Sequence, residues 1–161
     1  MSMIIAAFAG VGKTKLATMY PDAFVDFVCM PYKYYLEPDG DSSESGKGNL
    51  DNIMQEDWPQ NYIEAIKSAL LTDKTLLIPS DSRVLALLDL ERIPYTLCYP
   101  QRDAKEAYRQ RFIERGNTED FISIFIDGWD YFFNALEKAG TESRIVLEPH
   151  QFLSDVDDMI R

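Results

Sequence analysis

The sequence predicts an α/β fold in which one parallel β-sheet is covered by helices on both faces. Short apolar runs rich in β-branched and aromatic residues alternate with longer helical patterns from end to end. The chain has 161 residues, of which 46% are hydrophobic, and this is enough to fill the core of one domain. No internal repeat is evident, so we expect a single domain over 1–161.

Each predicted element follows from its local pattern. The apolar, β-rich runs predict five strands at 3–8, 24–29, 75–79, 95–99 and 144–148. Apolar positions at helical spacing predict helices at 13–20, 59–71, 81–91, 103–115 and 119–139, with a short last helix at 151–160. Because a helix separates successive strands, the strands are expected to run parallel.

The loop after the first predicted strand has the most specific pattern in the chain. Residues 7 to 14 read Ala-Phe-Ala-Gly-Val-Gly-Lys-Thr, a Walker A pattern with Ala7 in place of the first glycine. In such a P-loop, successive backbone N–H groups surround a phosphate, the lysine reaches the β- and γ-phosphates and the hydroxyl binds Mg²⁺. The alternative is an ordinary glycine turn with an exposed lysine. A strand before the loop and a helix after it favour the P-loop.

The pattern assigns a role to each residue of the loop. Gly10 and Gly12 let the backbone approach the phosphates, Lys13 is the catalytic cation and Thr14 is a ligand of Mg²⁺. The residues predicted to contact ATP are Ala9, Gly10, Val11, Gly12, Lys13, Thr14 and Lys15.

Charge and composition exclude several classes of partner. The net charge is -11, whereas nucleic acids and anionic membranes are bound by broad basic surfaces. No apolar stretch approaches the roughly 20 residues of a membrane span, and the chain starts with a predicted strand rather than a targeting segment. Cys29 and Cys98 lie in apolar runs, as buried free thiols do. We expect a cytoplasmic protein with small-molecule nucleotide substrates and neither nucleic-acid nor membrane partners.

One segment departs from the alternating pattern. Residues 37–57 are polar, acidic and rich in glycine and serine, with little to bury. The composition predicts a mobile insert. It is consistent both with a flexible insertion and with a flap that closes over a substrate.

The order of elements and the P-loop together resemble the nucleoside monophosphate kinases, the adenylate-kinase-like branch of P-loop proteins. Within that group, the segments Asp57-Trp58-Pro59-Gln60-Asn61-Tyr62-Ile63 and 108–117 are similar to small bacterial and phage-associated nucleotide kinases. The resemblance implies a three-layer α/β/α fold with a five-stranded parallel sheet in the order 2-3-1-4-5. It also implies an acceptor site between the second strand and the helix at 59–71, and a short arginine lid at 102–117.

Two segments depart from that family. After the third strand, adenylate kinases have Asp-Gly-x-Pro-Arg, where this chain has Pro79-Ser80-Asp81-Ser82-Arg83. Asp81 would hold the hydration shell of Mg²⁺ and Arg83 an acceptor phosphate, while the alternative for Asp81 is the cap of the following helix. After the second strand, Cys29-Met30-Pro31-Tyr32 presents an apolar surface instead of acidic or hydroxyl groups.

Three further residues are candidates for the site. Asp26 interrupts an apolar strand, so its carboxylate is either an acceptor or Mg²⁺ ligand or is paired with a backbone group or a lysine. Arg111 and Arg115 share one helical face and would cover the migrating phosphoryl group. Their alternative is a solvated face with surface ion pairs, and the lid role has less support for the neighbouring arginines 102 and 109 than for these two. The aromatic residues Trp58, Trp129, Phe132 and Phe133 are predicted to be core rather than base-stacking residues.

Two functions follow from these residues. The first is a Mg²⁺-dependent kinase that transfers a phosphoryl group from ATP to a small phosphorylated acceptor, a nucleoside or deoxynucleoside monophosphate. The second is a nucleotide-binding P-loop module without transferase activity. The lid arginines favour the first, and the apolar surface after the second strand favours the second. No Asn-Lys-x-Asp stretch for guanine recognition occurs.

Overall fold

The computed structural model describes residues 3–35 and 53–160. Five strands form the main sheet, and each neighbouring pair in it is parallel. In chain order these strands are β1 (Ile4–Ala7), β2 (Phe24–Asp26), β5 (Thr75–Pro79), β6 (Thr96–Pro100) and β7 (Arg144–Leu147). Their order across the sheet is β2-β5-β1-β6-β7. Numbered within this sheet alone, that is 2-3-1-4-5, and the predicted fold class is confirmed.

Helices cover the sheet and follow the strands along the chain. The α-helices are α1 (Lys13–Met19), α2 (Met30–Lys33), α3 (Gln60–Ala69), α4 (Ser82–Leu90), α5 (Lys105–Glu114), α6 (Glu119–Asp127) and α7 (Trp129–Lys138). Two 3₁₀ helices lie at Arg102–Ala104 and Leu153–Met159. No helix in the described ranges is long and apolar enough to cross a membrane.

The central strand β1 positions the site. All four of its residues are buried, and it pairs with β5 on one side and β6 on the other. Ala7 at its end lies opposite Pro79 of β5 and Cys98 of β6. Because the strands are parallel, the segments that follow β1, β2 and β5 emerge at the same edge of the sheet.

Three elements differ from their predicted form. The helix predicted at 119–139 is two helices, because at Gly128 the chain turns so closely that a Cβ atom would lie 2.6 Å from the Ile124 carbonyl oxygen. Strand β2 ends at Asp26 rather than at residue 29, since the Val28 N–H donates to the Asp26 carbonyl in a turn. The last helix is 3₁₀ rather than α.

A small antiparallel ladder, which the sequence did not predict, adjoins α2. Strand β3 (Tyr34–Tyr35) pairs with β4 (Ile53–Met54). Of the predicted mobile insert at 37–57, residues 37–52 lie outside the described residues, and 53–57 form β4 and the start of a turn. The Gln55 side-chain amide donates to the carbonyls of Pro31 and Tyr34, at 2.7 and 2.9 Å. This anchors α2 beside the sheet edge.

An aromatic core joins the P-loop to the helices that follow β6. Phe8, directly after β1, packs against Trp129 and Phe133 with ring centroids 5.4 and 5.3 Å apart. Trp58, Trp129 and Phe133 are buried as predicted, whereas Phe132 is half-buried. Both cysteines are buried thiols that are not joined in a disulfide, also as predicted. Burial raises the pKa of the Cys98 thiol to about 12, so that this group stays protonated and unreactive at neutral pH.

Candidate functional site

The loop at residues 7–14 has a conformation that depends on glycine. Gly10 and Gly12 have φ of +85° and +95°, where other L-residues are strained. A Cβ atom on Gly10 would lie 2.8 Å from Cε1 of Phe112, and one on Gly12 would lie 3.2 Å from Cδ1 of Phe152. At both glycines, an aromatic side chain therefore lies so close to the backbone that a larger residue would crowd it.

The lysine and threonine of the loop begin α1. Lys13 is the buried charged residue among the described residues, with 8% of its surface exposed, and it lines the cavity at the sheet edge. The Thr14 hydroxyl donates to Oδ2 of Asp26 at 2.6 Å. Oδ1 of Asp26 is buried and has no hydrogen-bond partner among the described residues. A buried carboxylate oxygen without a donor beside the Thr14 hydroxyl fits a site for a hydrated cation.

Asp81 caps the helix after β5. Its Oδ1 accepts from the backbone N–H groups of Arg83 and Val84 at 2.9 and 3.3 Å. Its Oδ2 lies 3.6 Å from Nζ of Lys33, and both side chains line the cavity. The Arg83 guanidinium instead lies 3.7 Å from the Met54 sulfur and is not among the described residues that line this cavity.

Arg111 contacts the P-loop directly. Its Nη1 donates to the Gly10 carbonyl at 2.8 Å, and its Nη2 donates to the carbonyls of Pro149 and Gln151 at 3.2 and 3.1 Å. The guanidinium carbon lies 3.8 Å from the ring centroid of Phe152 and 4.2 Å from that of Tyr108. Arg111 thus ties the loop to the segment after β7 while lining the cavity.

Arg115 lies at the end of α5 and faces the same cavity. Its guanidinium carbon is 5.2 Å from the ring centroid of Phe112 and 5.4 Å from that of Phe121, and its Nε donates to Asn117. Partial burial, and then the charge of Arg111, lower the pKa of Arg115, which nevertheless remains charged at neutral pH. The side chain retains an exposed surface.

The other two arginines of the predicted lid make surface ion pairs. Arg102 donates to Glu137 at 2.9 Å and to Asn134 at 2.8 Å. Arg109 donates to Glu106 at 3.1 Å. Of the four arginines, the structure places 111 and 115 at the cavity and assigns 102 and 109 to the exposed face.

The cavity is about 650 Å³, large enough for two small ligands. Its charged lining is opposite in sign to the whole chain, because five cations are accompanied by two carboxylates. The cations are Lys13, Lys15, Lys33, Arg111 and Arg115, and the carboxylates are Asp81 and Glu114. Within a chain of net charge -11, this lining concentrates positive potential where an anion would bind.

The sequence did not single out three features of this cavity. Lys33 lies on the four-residue helix α2, which has no periodicity long enough to recognise. Phe152 packs over the P-loop, with Nζ of Lys15 5.4 Å from its ring centroid. Phe132, predicted to be a core residue, packs against the core but also lines the cavity. No residue of α3 is among the described lining residues, in contrast to the acceptor position that the resemblance implied.

The oxygen atoms at the cavity favour a metal ion that is bound partly by the protein and partly by the phosphates of a nucleotide. The described residues contain no group of three or more His, Cys, Asp or Glu side chains that could hold a metal by themselves. Mg²⁺ in phosphoryl-transfer sites is held by one or two protein oxygens together with phosphates and water. Thr14, which lines the cavity, and Asp26, which does not line it but accepts from the Thr14 hydroxyl, have such oxygens.

Solved structures with the same architecture include a gluconokinase from Sinorhizobium meliloti 1021. The TM-score is 0.55 at 13% identity, and the match covers 96% of this chain and 86% of that chain. No protein-family model matches the sequence, and no curated protein matches it either. At this identity the likeness concerns the fold. The chain therefore has the three-layer α/β fold of P-loop proteins.

Proposed function

We propose that this protein is an ATP- and Mg²⁺-dependent kinase, and that its acceptor is a small phosphorylated molecule, a nucleoside or deoxynucleoside monophosphate. The observation that carries the proposal is the cation-lined cavity at a glycine-dependent P-loop in an otherwise acidic chain. Phosphoryl transfer requires little from a protein beyond positioning and positive charge around the migrating group. Both requirements match these residues.

The donor is held by the P-loop. Backbone N–H groups of the loop residues that line the cavity would surround the β- and γ-phosphates of ATP, and the Lys13 ammonium would reach them from within the cavity. Val11, which the sequence also predicted to contact ATP, is buried and does not line the cavity, and its N–H donates to the Phe8 carbonyl at 3.4 Å. Arg115 covers the migrating phosphoryl group. Arg111 adds positive charge beside the migrating phosphoryl group. Three of its five N–H groups donate to backbone carbonyls, and the other two remain to contact the phosphoryl group.

The Thr14 hydroxyl and the Asp26 carboxylate would hold Mg²⁺. The buried, unpartnered Oδ1 of Asp26 supports this assignment, since it would accept from a water of the metal shell. Asp81 is the second candidate for that shell, although its Oδ1 already accepts from the α4 backbone and its Oδ2 lies 3.6 Å from Nζ of Lys33. When bound, the metal would supply positive charge to the phosphates at this end of the P-loop.

A charged acceptor is supported by Lys33. This cation lies on α2, apart from the P-loop, and the nearest carboxylate oxygen among the described residues is at 3.6 Å rather than at hydrogen-bond distance. The phosphates of ATP do not require a cation at the position of Lys33. A phosphate group on the acceptor would pair with the Lys33 ammonium.

The test is ADP release from ATP and Mg²⁺ with a panel of acceptors. The panel contains ribo- and deoxyribonucleoside monophosphates and gluconate, the acceptor suggested by the name of the structural neighbour. The proposal expects turnover with at least one monophosphate, well above the rate without acceptor. Turnover with gluconate alone would contradict the acceptor class. ATP binding without turnover on any acceptor would instead favour the nucleotide-binding module, which the apolar lining at Cys29 and Met30 also favours.

A further inference from the structure

One wall of the cavity is formed by apolar side chains of α6 and α7. We call Phe121, Ile124, Phe125 and Phe132 the ring wall; all four line the cavity. The rings of Phe125 and Phe132 are stacked, with centroids 5.0 Å apart and an interplanar angle of 23°. The Phe121 ring lies 4.7 Å from that of Phe125. The wall is thus a continuous aromatic surface.

Three of the four ring-wall residues retain surface that a packing role alone would have buried. Phe125 and Phe132 are half-buried and Ile124 is 42% exposed, whereas Phe121 is buried and Trp129 and Phe133 of the adjoining core are 1% exposed. Partly exposed aromatic side chains that line a cavity beside a polar site are suited to contact with a ligand.

The ring wall adjoins one end of the P-loop. Phe125 touches Phe8, the residue before Ala9, with an edge-to-face contact at 5.6 Å. The other end of the loop is covered by Phe152, which lies over Gly12 and Lys15. Since the donor phosphates occupy the N–H groups around Gly12 and Lys13, the ring wall lies on the side of the acceptor.

Among the residues that the structure describes, the wall itself offers no group that could hydrogen-bond to the edge of a base, because its four side chains carry no polar atom. The Arg115 guanidinium carbon lies 5.4 Å from the Phe121 ring centroid, and Glu114 also lines the cavity. Arg115 is already assigned to the phosphoryl group. Stacking on rings tolerates any base because every base has a π-face, whereas discrimination between bases needs polar groups that match their edges.

We propose that the ring wall binds a flat ring of the acceptor by stacking, so that the enzyme requires a base on its monophosphate substrate but discriminates weakly among bases. The inference rests on the proposed function for the identity of the acceptor. It places the base on α6 and α7 rather than beside α3, and it excludes ribose phosphates and sugar acids as efficient substrates.

The first test is calorimetric titration of the full chain, with Mg²⁺ and a nonhydrolysable ATP analogue in the P-loop. AMP, GMP, CMP and UMP are compared with ribose 5-phosphate, which keeps the sugar and the phosphate but lacks the base. We expect the four nucleotides to bind within about tenfold of one another, and ribose 5-phosphate at least tenfold more weakly than any of them. Equal binding of ribose 5-phosphate, or a preference above a hundredfold for one base, would overturn the inference.

The second test uses variants of the wall. Phe125→Leu removes a ring while keeping an apolar side chain, and should weaken nucleotide binding about tenfold without changing ribose 5-phosphate binding. Ile124→Asn alters an exposed wall position, so it tests the wall even if Phe125→Leu fails to fold. Its matched control is Ile113→Asn on α5, where the isoleucine is 51% exposed and outside the cavity lining. Ile124→Asn should weaken nucleotide binding several-fold and Ile113→Asn should not; equal effects would contradict a role for the wall.

The two proposals fail separately. If monophosphates bind in the expected pattern but are not phosphorylated, the proposed role of the ring wall is supported and the proposed kinase activity is refuted. Monophosphates that are phosphorylated equally well by the parent and by Ile124→Asn and folded Phe125→Leu would leave the kinase intact and refute the ring wall.

Discussion

At the scale of single residues, two carboxylates compete for the role of magnesium ligand. Asp26 bonds to the Thr14 hydroxyl and has a buried oxygen without a donor, whereas Asp81 caps α4 and lies beside Lys33. Asn retains the shape of each side chain and caps helices nearly as well as Asp. The matched pair of variants Asp26→Asn and Asp81→Asn therefore separates metal binding from stability.

We expect Asp26→Asn to raise the Mg²⁺ concentration needed for half-maximal turnover at least tenfold, because it removes a negative charge beside the metal. Asp81→Asn should shift this concentration much less, with little loss of thermal stability. Mg²⁺ titrations of turnover, alongside thermal unfolding, measure both effects. The opposite ranking of the two variants would assign the metal to Asp81.

The two cavity arginines should respond differently to truncation. Arg111→Met leaves three backbone carbonyls without their donor, which should cost about 2 kcal/mol of unfolding free energy and weaken ATP binding. Arg115→Met breaks no contact to the loop. It should lower kcat by on the order of 10³-fold, the loss typical of a transition-state arginine, with ATP affinity nearly unchanged.

Calorimetry with ATP, thermal unfolding and steady-state kinetics distinguish these outcomes. If Arg111→Met lowered only kcat, Arg111 would be a lid residue and not a support of the loop. If Arg115→Met turned over within about threefold of the parent, Arg115 would have no part in catalysis.

At the scale of elements, the P-loop and the turn after α5 both depend on a glycine with positive φ. Gly10 and Gly116 have φ of +85° and +81°, but a Cβ atom on Gly10 would lie 2.8 Å from Phe112, while one on Gly116 would have nothing within 4 Å. Backbone strain is thus common to both, and crowding is specific to Gly10.

We predict that Gly116→Ala loses about 1–2 kcal/mol of stability from backbone strain alone and still binds ATP. Gly10→Ala should lose more, because Phe112 must move, and it should lose measurable ATP binding as the loop shifts. Thermal unfolding and ATP calorimetry on both variants check this. ATP affinity equal to that of the parent in Gly10→Ala would contradict the prediction, because it would show that the loop accommodates a Cβ atom at position 10.

The sequence predicted those strands and helix starts that are determined by residues close together in the chain. The strand at 144–148 and the helix start at Lys13 could be read from short runs, because apolar alternation and glycine spacing are properties of neighbours in sequence. The break at Gly128 was missed since the apolar pattern continues through it. The helix α2 is too short to show a period.

The candidate site was predictable in part for the same reason. The P-loop is one continuous segment, so the sequence pattern alone predicts its residues. The three carbonyls that Arg111 contacts come from residues 10, 149 and 151, far apart in sequence, and no local pattern indicates such a contact. Phe132 shares the spacing of core residues, and its position at the cavity depends on how α6 and α7 pack.

At the scale of the whole molecule, topology and charge act together. The parallel order of the sheet brings the ends of β1, β2 and β5 to one edge, and the cations gather there in a chain of net charge -11. Negative charge elsewhere on the chain disfavours the binding of anions outside this cavity. In the proposed function, nucleotide binding and phosphoryl transfer both depend on Lys13.

The most direct measurement is the transfer of labelled γ-phosphoryl from ATP to a nucleoside monophosphate by the parent and by Lys13→Met. Met keeps most of the side-chain volume that Lys13 buries and removes its charge. The account predicts labelled diphosphate and ADP in equal amounts from the parent, and a rate at least a hundredfold lower from the folded variant. Labelled diphosphate formed at the same rate by both proteins would contradict it, as would ATP bound by the parent with no labelled acceptor formed.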